Sequence, residues 1–159
     1  MEARRRDAAC AAVCGVGTLV LGSAGALFMG SVRDWYPALA KPSWTPPGWL
    51  FGPVWTALYV MMGVALWLVA RRWSADPRAR IATAAWGVQM ALNLIWTPVF
   101  FGLRSPVGGL VVIALLLAAI VAAIALGARV SRAAAVLLAP YLAWVTFATV
   151  LNAAIAAMN

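Results

Sequence analysis

Polar and apolar positions in this chain segregate by segment rather than by period. Charged residues fall only in 1–7, 33–41, 71–80, at Arg104 and in 129–132. Between them lie five charge-free stretches, 8–32, 42–70, 81–103, 105–128 and 133–159, each of 23 to 29 residues. A helix crossing the hydrocarbon of a bilayer needs about 20 predominantly apolar residues, so each stretch is long enough for one crossing. Within lipid the backbone must satisfy its own hydrogen bonds, which leaves helices or closed barrels. Barrel strands alternate apolar and polar residues; the unbroken apolar run from Val111 to Leu126 does not. The pattern predicts an all-α integral membrane bundle of five transmembrane helices, forming one domain over residues 1–159.

Local signals set the expected boundaries. The first span covers about 8–30 and is rich in glycine (Gly15, Gly17, Gly22, Gly25, Gly30), which permits close helix approach. Residues 35–47, WYPALAKPSWTPP, predict an extended, proline-stiffened loop, because each proline removes an N–H and restricts its predecessor. Thr45 is the expected N-cap of the second span, with Pro46 or Pro47 in its first helical position. Pro53 then implies a late start or a bend. The third span is expected over about 80–102 with Pro98 disturbing its last turn, the fourth over 106–127, and the fifth over 133–157 with a kink at Pro140. Five spans do not divide into the paired halves of inverted-repeat transporters.

Composition sharpens the class. The chain is 65% hydrophobic and 10% charged, against roughly 25% charged in soluble domains. Soluble enzymes, nucleic-acid readers and disulfide scaffolds are therefore excluded. The net charge of +8 follows topology. Arg4, Arg5, Arg6, Arg71, Arg72, Arg78, Arg80, Arg129 and Arg132 share one side, against Arg33, Lys41 and Arg104 on the other. The positive-inside rule then places the N-terminus in the cytoplasm and the C-terminus outside, as in a multi-pass protein of a bacterial inner membrane. Arg4–Arg6 and Ala24-Gly25-Ala26 mimic a secretory signal. The apolar run continues to Val32, however, beyond the usual ~7–15-residue signal core, which favours a retained helix. Cys10 and Cys14 share a face of the first span. Two thiols in a chain without histidine make a poor metal site, so they read as small apolar residues and no metal is expected.

No ionisable residue lies inside a predicted span, which removes the usual relay of a proton- or ion-coupled pump and the usual acid–base pair. Aromatic residues remain. Four of nine tryptophans (Trp35, Trp44, Trp49, Trp55) lie within 21 positions. Interfacial anchoring accounts for Trp67, Trp73 and Trp86. Three other sets each occupy one helical face: Trp55 with Tyr59; Gln89, Asn93 and Trp96; Tyr141, Trp144 and Ala148. They fit either helix packing or an aromatic-walled pocket for a flat, largely apolar ligand. Ala79, Thr83, Gly87 and Ala91 form a small-residue ladder along the third span, fit for close contact with a second copy.

The runs WYPALAKPSWTPPGWLFGPVWTALYVMMG (35–63), QMALNLIWTPVFF (89–101) and PYLAWVTFATVLN (140–152) resemble the TspO/MBR family. Its members are the tryptophan-rich sensory proteins of bacteria and the mitochondrial translocator protein. The resemblance covers all five spans. It implies a bundle, often a homodimer, whose pocket beneath the first loop binds porphyrins such as protoporphyrin IX. By motif match the pocket walls fall on Tyr36, Trp55, Tyr59, Asn93, Trp96, Trp144 and Ala148. The implied role is a receptor or sensor for tetrapyrroles, with transport as a consequence and no obligatory cofactor. Arg33 or Lys41 would meet the ligand's carboxylates or serve as interface anchors. The alternative is an enzyme degrading porphyrin in light, with Trp55 and Trp144 as its catalytic residues. The sterol-recognition pattern of animal members needs a Tyr and then a Lys or Arg after ATVLN (148–152). AAIAAMN follows here, so no sterol site is expected at the C-terminus.

Overall fold

Serine, aspartate and proline punctuate the helix starts. The computed structural model describes residues 2–23 and 33–159, with side chains from residue 7 onward. Five α-helices follow in order: α1 (Glu2–Ser23), α2 (Gly48–Ala70), α3 (Pro77–Thr97), α4 (Pro106–Ala128) and α5 (Arg132–Met158). Asp76 caps α3 by accepting from the Arg78 N–H, Ser105 caps α4 through Gly108, and Ser131 caps α5 through Ala134. Each cap satisfies one of the donors that a helix start leaves unpaired. Pro77 and Pro106 sit in the first turn, where the missing N–H costs nothing.

Three expectations need correction. α1 begins at Glu2, ahead of the expected 8, and takes in the arginine triplet; positions 24–30 of the first span, and Ala24–Ala26, lie outside the described residues. Pro47, not Thr45, occupies the N-cap position of α2 and makes no side-chain cap; the Thr45 hydroxyl donates to the Pro42 carbonyl at 2.7 Å and closes a turn instead. Of the two alternatives at Pro53, a late start or a bend, the late start does not occur: α2 begins at Gly48 and continues through it. That proline lies near the helix start and removes one backbone bond only. Pro98 does disturb the end of α3: residues Pro98–Gly102 form a π-helical turn.

α2, α4 and α5 run for 23, 23 and 27 residues, and α3 with its π turn for 26; all four are long and apolar enough to cross a bilayer. The described apolar part of α1, Asp7–Ser23, is shorter. α5 packs against α4 and α2, α4 against α3, and α1 against α2; α3 returns onto α2. Val60, Ile81, Val88, Val111, Leu115 and Val136 point outward, 43–69% exposed. A water-facing surface would not tolerate so much contiguous apolar area. The protein is a multi-pass, all-α membrane protein.

The α1–α2 contact rests on glycine. A Cβ at Gly63 would lie 2.5 Å from the Gly15 Cα and 2.7 Å from the Cys14 carbonyl oxygen, so the two backbones meet where neither carries a side chain. Both ends of the bundle are tied. At one end Arg71 pairs with Asp7 at 3.4 Å, and Arg72 donates to the Val130 carbonyl at 2.6 Å. The N-terminal segment, the α2–α3 turn and the α4–α5 turn thus share a side, as the charge pattern requires. At the other end Ala40 and Asn159 exchange two hydrogen bonds of 3.0 Å, strapping the α1–α2 loop to Asn159, just beyond α5.

Candidate functional site

Periodicity puts Tyr59 on α2, Asn93 on α3 and Tyr141 on α5 at interior positions, and packing makes them meet. The Tyr59 hydroxyl donates to Asn93 Oδ1 at 3.0 Å; Asn93 Nδ2 donates to the Tyr141 hydroxyl oxygen at 3.1 Å. All three are buried, Tyr141 completely. Trp55, one turn from Tyr59, stacks on its ring with centroids 5.2 Å apart and meets Tyr141 edge-on at 6.3 Å. In hydrocarbon an unpaired amide or phenol is costly, so one asparagine holding a phenol from each of two other helices fixes their register.

A second aromatic group lies toward the strapped loop. Trp96 Nε1 donates to Asn152 Oδ1 at 3.2 Å, and Asn152 Nδ2 donates to the Pro106 carbonyl at 2.8 Å. Trp96 stacks on Phe100 at 5.0 Å. Phe100 and Phe101, brought inward by the π turn, receive Trp35 and Tyr36 from the loop at 5.6–6.3 Å. Burial raises the Tyr36 phenol above its ordinary value. Asn152 also lies within 3.0 Å of where a Cβ on Gly109 would sit; any side chain there would push it from Trp96.

The seven predicted site residues therefore divide. Trp55, Tyr59 and Asn93 form the central network, while Trp96 and Tyr36 belong to the loop-side group. Trp144 belongs to neither network: its ring meets Phe51 at 5.8 Å and Phe147 at 5.7 Å. Ala148 is half-buried against the main core. The rings close on one another rather than standing around a slot. An open groove of about 720 Å³ lies instead along the outer face of α5, between Leu142, Ala143, Thr146, Phe147 and Trp44.

Other expectations change too. Lys41 is engaged with its own loop. Its ammonium donates to the carbonyls of Tyr36, Pro37 and Leu39 at 2.8–3.0 Å and sits 5.0 Å from the Tyr36 ring. An ammonium has three donors, and all three are engaged. Trp86 is not a simple interfacial anchor, because its indole N–H reaches the Met62 carbonyl at 3.1 Å and joins α3 to α2. Trp67 bonds Asp7 at 3.1 Å beneath the Arg71 guanidinium. In the small-residue ladder Ala79 is fully buried within the bundle and offers no face to a second copy. Thr83 is half-buried, whereas Gly87 and Ala91 are exposed, with nothing within 4 Å of a Cβ at Gly87. Cys10 and Cys14 are free thiols.

Tyr141, on a face set that periodicity already groups, and Asn152 join the site beyond the motif-matched walls. Both carried a readable signal, being polar residues on the α5 face that Ala148 and Trp144 share. Phe51, Phe100 and Phe147 carried none beyond hydrophobicity.

Fold and site together define a helical membrane protein with a hydrogen-bonded aromatic core beneath a strapped, proline-rich loop. The TspO/MBR family pattern matches residues 11–158, and the chain belongs to that family. It is 44% identical to the tryptophan-rich protein TspO of Chlorobaculum tepidum over 96% of this chain and 94% of that one. Identity is 38% to the protein CrtK of Rhodobacter capsulatus, covering 87% and 85% of the two chains. It is 43% to the translocator protein of Homo sapiens, covering 74% and 70%.

Proposed function

We propose that the chain is a membrane receptor for porphyrins and related tetrapyrroles, taken up at the aromatic core of α2, α3 and α5 beneath the α1–α2 loop. The observation that carries this reading is Trp55 stacked on Tyr59, with Tyr59 and Tyr141 bridged by Asn93. It brings flat π-faces and polar handles from three helices to one place. A macrocycle that displaces ring–ring contacts regains them as macrocycle–ring contacts, each aromatic pair worth about 0.5–1.5 kcal/mol beyond burial. Trp144, held between Phe51 and Phe147, flanks the same stretch of α5. The reading includes a multi-pass place in a bacterial inner membrane with the arginine-rich end in the cytoplasm. It also includes a homodimer formed through Thr83, Gly87 and Ala91 of α3.

Titration of the purified protein with protoporphyrin IX in darkness, followed by tryptophan fluorescence, tests it. Saturable quenching weakened at least tenfold by Trp55→Ala and by Trp144→Ala is expected. Quenching unchanged in both variants overturns the site. The stacked Trp55–Tyr59 pair also supports the alternative of light-dependent porphyrin oxidation: the excited porphyrin takes an electron from Trp55, Tyr59 returns one to Trp55, and dioxygen is the oxidant that consumes the reduced macrocycle. Illumination in air then gives a new absorbing product that Trp55→Phe and Trp144→Phe abolish. Bleaching equal to that of free porphyrin favours binding alone.

A further inference from the structure

The arginine-rich end of the bundle carries more cations than it pairs. Arg71 is committed to Asp7 and Arg78 to Asp76, while Arg80 Nε donates to the Trp73 carbonyl at 3.4 Å. Arg72 crosses to the α4–α5 turn, where its Nη1 donates to the Val130 carbonyl at 2.6 Å. That bond uses one of a guanidinium's five N–H donors and none of its charge. Arg129 and Arg132 flank the same carbonyl in sequence; both are exposed, and neither has a hydrogen bond or ion pair among the described residues. Asp7 and Asp76, the acids whose side chains are described at this end, are already spent, Asp7 on Arg71 and Trp67, Asp76 on Arg78. Three guanidiniums are thus gathered at one turn, with no described carboxylate hydrogen-bonded to any of them. The turn is tight: the Val130 and Ser131 N–H groups both donate to the Gly127 carbonyl, at 3.0 and 2.8 Å.

Where this cluster stands says what would cover it. α4 ends at Ala128 and α5 starts at Arg132, so the cations sit where two spans leave the hydrocarbon. Trp73, 47% exposed on the neighbouring turn, is a residue type that prefers the headgroup level. Exposed apolar positions continue the same helical faces inward. Ala125 and Val121 lie one and two turns before Arg129 on α4, and Val136 lies one turn after Arg132 on α5. We propose that Arg72, Arg129 and Arg132 form a binding surface for an anionic phospholipid that carries two phosphodiesters on one headgroup. The planar guanidinium fork matches phosphate oxygens, and basic clusters between transmembrane helices hold such headgroups. Two linked phosphates relieve the repulsion among three cations, and the acyl chains lie along the exposed stripes of α4 and α5. A soluble anion would meet the same charges and leave those stripes uncovered. The surface is at the opposite end of the bundle from the strapped loop and stands independently of the tetrapyrrole reading.

The test titrates the full chain, in micelles of an uncharged detergent, with cardiolipin, with phosphatidylglycerol at equal phosphate, and with inorganic pyrophosphate. Binding is read from the rise in melting temperature that a ligand of the folded state produces, and bound lipid is counted by native mass spectrometry. Cardiolipin should raise the melting temperature saturably and stay on the chain, with phosphatidylglycerol at least tenfold weaker. The double variant Arg129→Gln with Arg132→Gln should weaken cardiolipin at least tenfold. Arg4→Gln with Arg5→Gln, which takes the same charge from the same end, should stay within twofold of the wild type. Equal weakening in the two double variants overturns the proposal, since it marks diffuse attraction. So does phosphatidylglycerol binding as tightly as cardiolipin, or pyrophosphate displacing it, since the site would then read one phosphate or a soluble anion. Without lipid, the Arg129→Gln, Arg132→Gln protein should melt no lower than the wild type, because like charges leave a shared turn; a lower temperature overturns the reading of these arginines as unpaired.

Discussion

At the scale of single residues, the central network is asymmetric, and the asymmetry predicts a ranking. Asn93 serves two phenols, so Asn93→Leu strands the Tyr59 donor in the core, at a cost of about 1–3 kcal/mol. Tyr141→Phe removes one acceptor and leaves only an amide N–H to find a substitute. Interhelical hydrogen bonds in membranes average about 0.6 kcal/mol by double-mutant cycles, and a loss of that order is expected. Unfolding in mixed detergent micelles gives both values; equal losses would mean that Asn93 does not hold the two rings as a unit. The sequence showed these residues well. Asn93 and Tyr59 are legible because a polar group at membrane depth has few reasons to be there. Lys41 is the counter-example. Nothing in its spacing says that three carbonyls converge on it, because the convergence is created by the turn of the loop between Tyr36 and Leu39.

At the scale of helices, the starts of α4 and α5 were legible, at 106 and 132 against the expected 106 and 133, whereas α3 starts at Pro77, ahead of the expected 80, because Asp76 caps it. The start of α2 was not legible, because Thr45 gives its hydroxyl proton to the Pro42 carbonyl in a turn two residues before the N-cap position. The faces were legible as well. What the faces meet was not: Trp144 shares a face with Tyr141, yet its partners are phenylalanines whose positions depend on how α2 and α5 cross. Two glycines show the same limit. Gly63 and Gly87 look alike in sequence, yet Gly63 touches the α1 backbone and Gly87 faces open space. Gly63→Leu must therefore push α1 from α2, an overpacking cost of about 1–3 kcal/mol seen as a lower melting temperature. Gly87→Leu should leave the protomer as stable or up to about 1 kcal/mol more stable, from helix propensity. If α3 mediates a dimer, the same variant shifts the particle to the monomer in multi-angle light scattering. A Gly87→Leu protein that remains dimeric removes α3 from that role.

For the whole molecule, the charge-free stretches were enough to give the number and order of the helices and which connections share an end of the bundle. The way the aromatic surfaces collapse onto each other needed three-dimensional packing. The loop over that core is held twice, internally by Lys41 and externally by Asn159, and Lys41 is the only lysine in the chain. Acylation requires an amine that has shed a proton and left its hydrogen bonds, so this side chain reacts only while the loop is released. Treatment with a succinimidyl ester, followed by peptide mass spectrometry, should thus give slow modification at Lys41. Asn159→Ala should speed it severalfold by cutting the tie to Ala40, and an unchanged rate would mean that the tie does not restrain the loop. A single engaged ammonium makes the protein its own stopwatch: the pace of one covalent reaction counts how often the cover over the aromatic core comes undone.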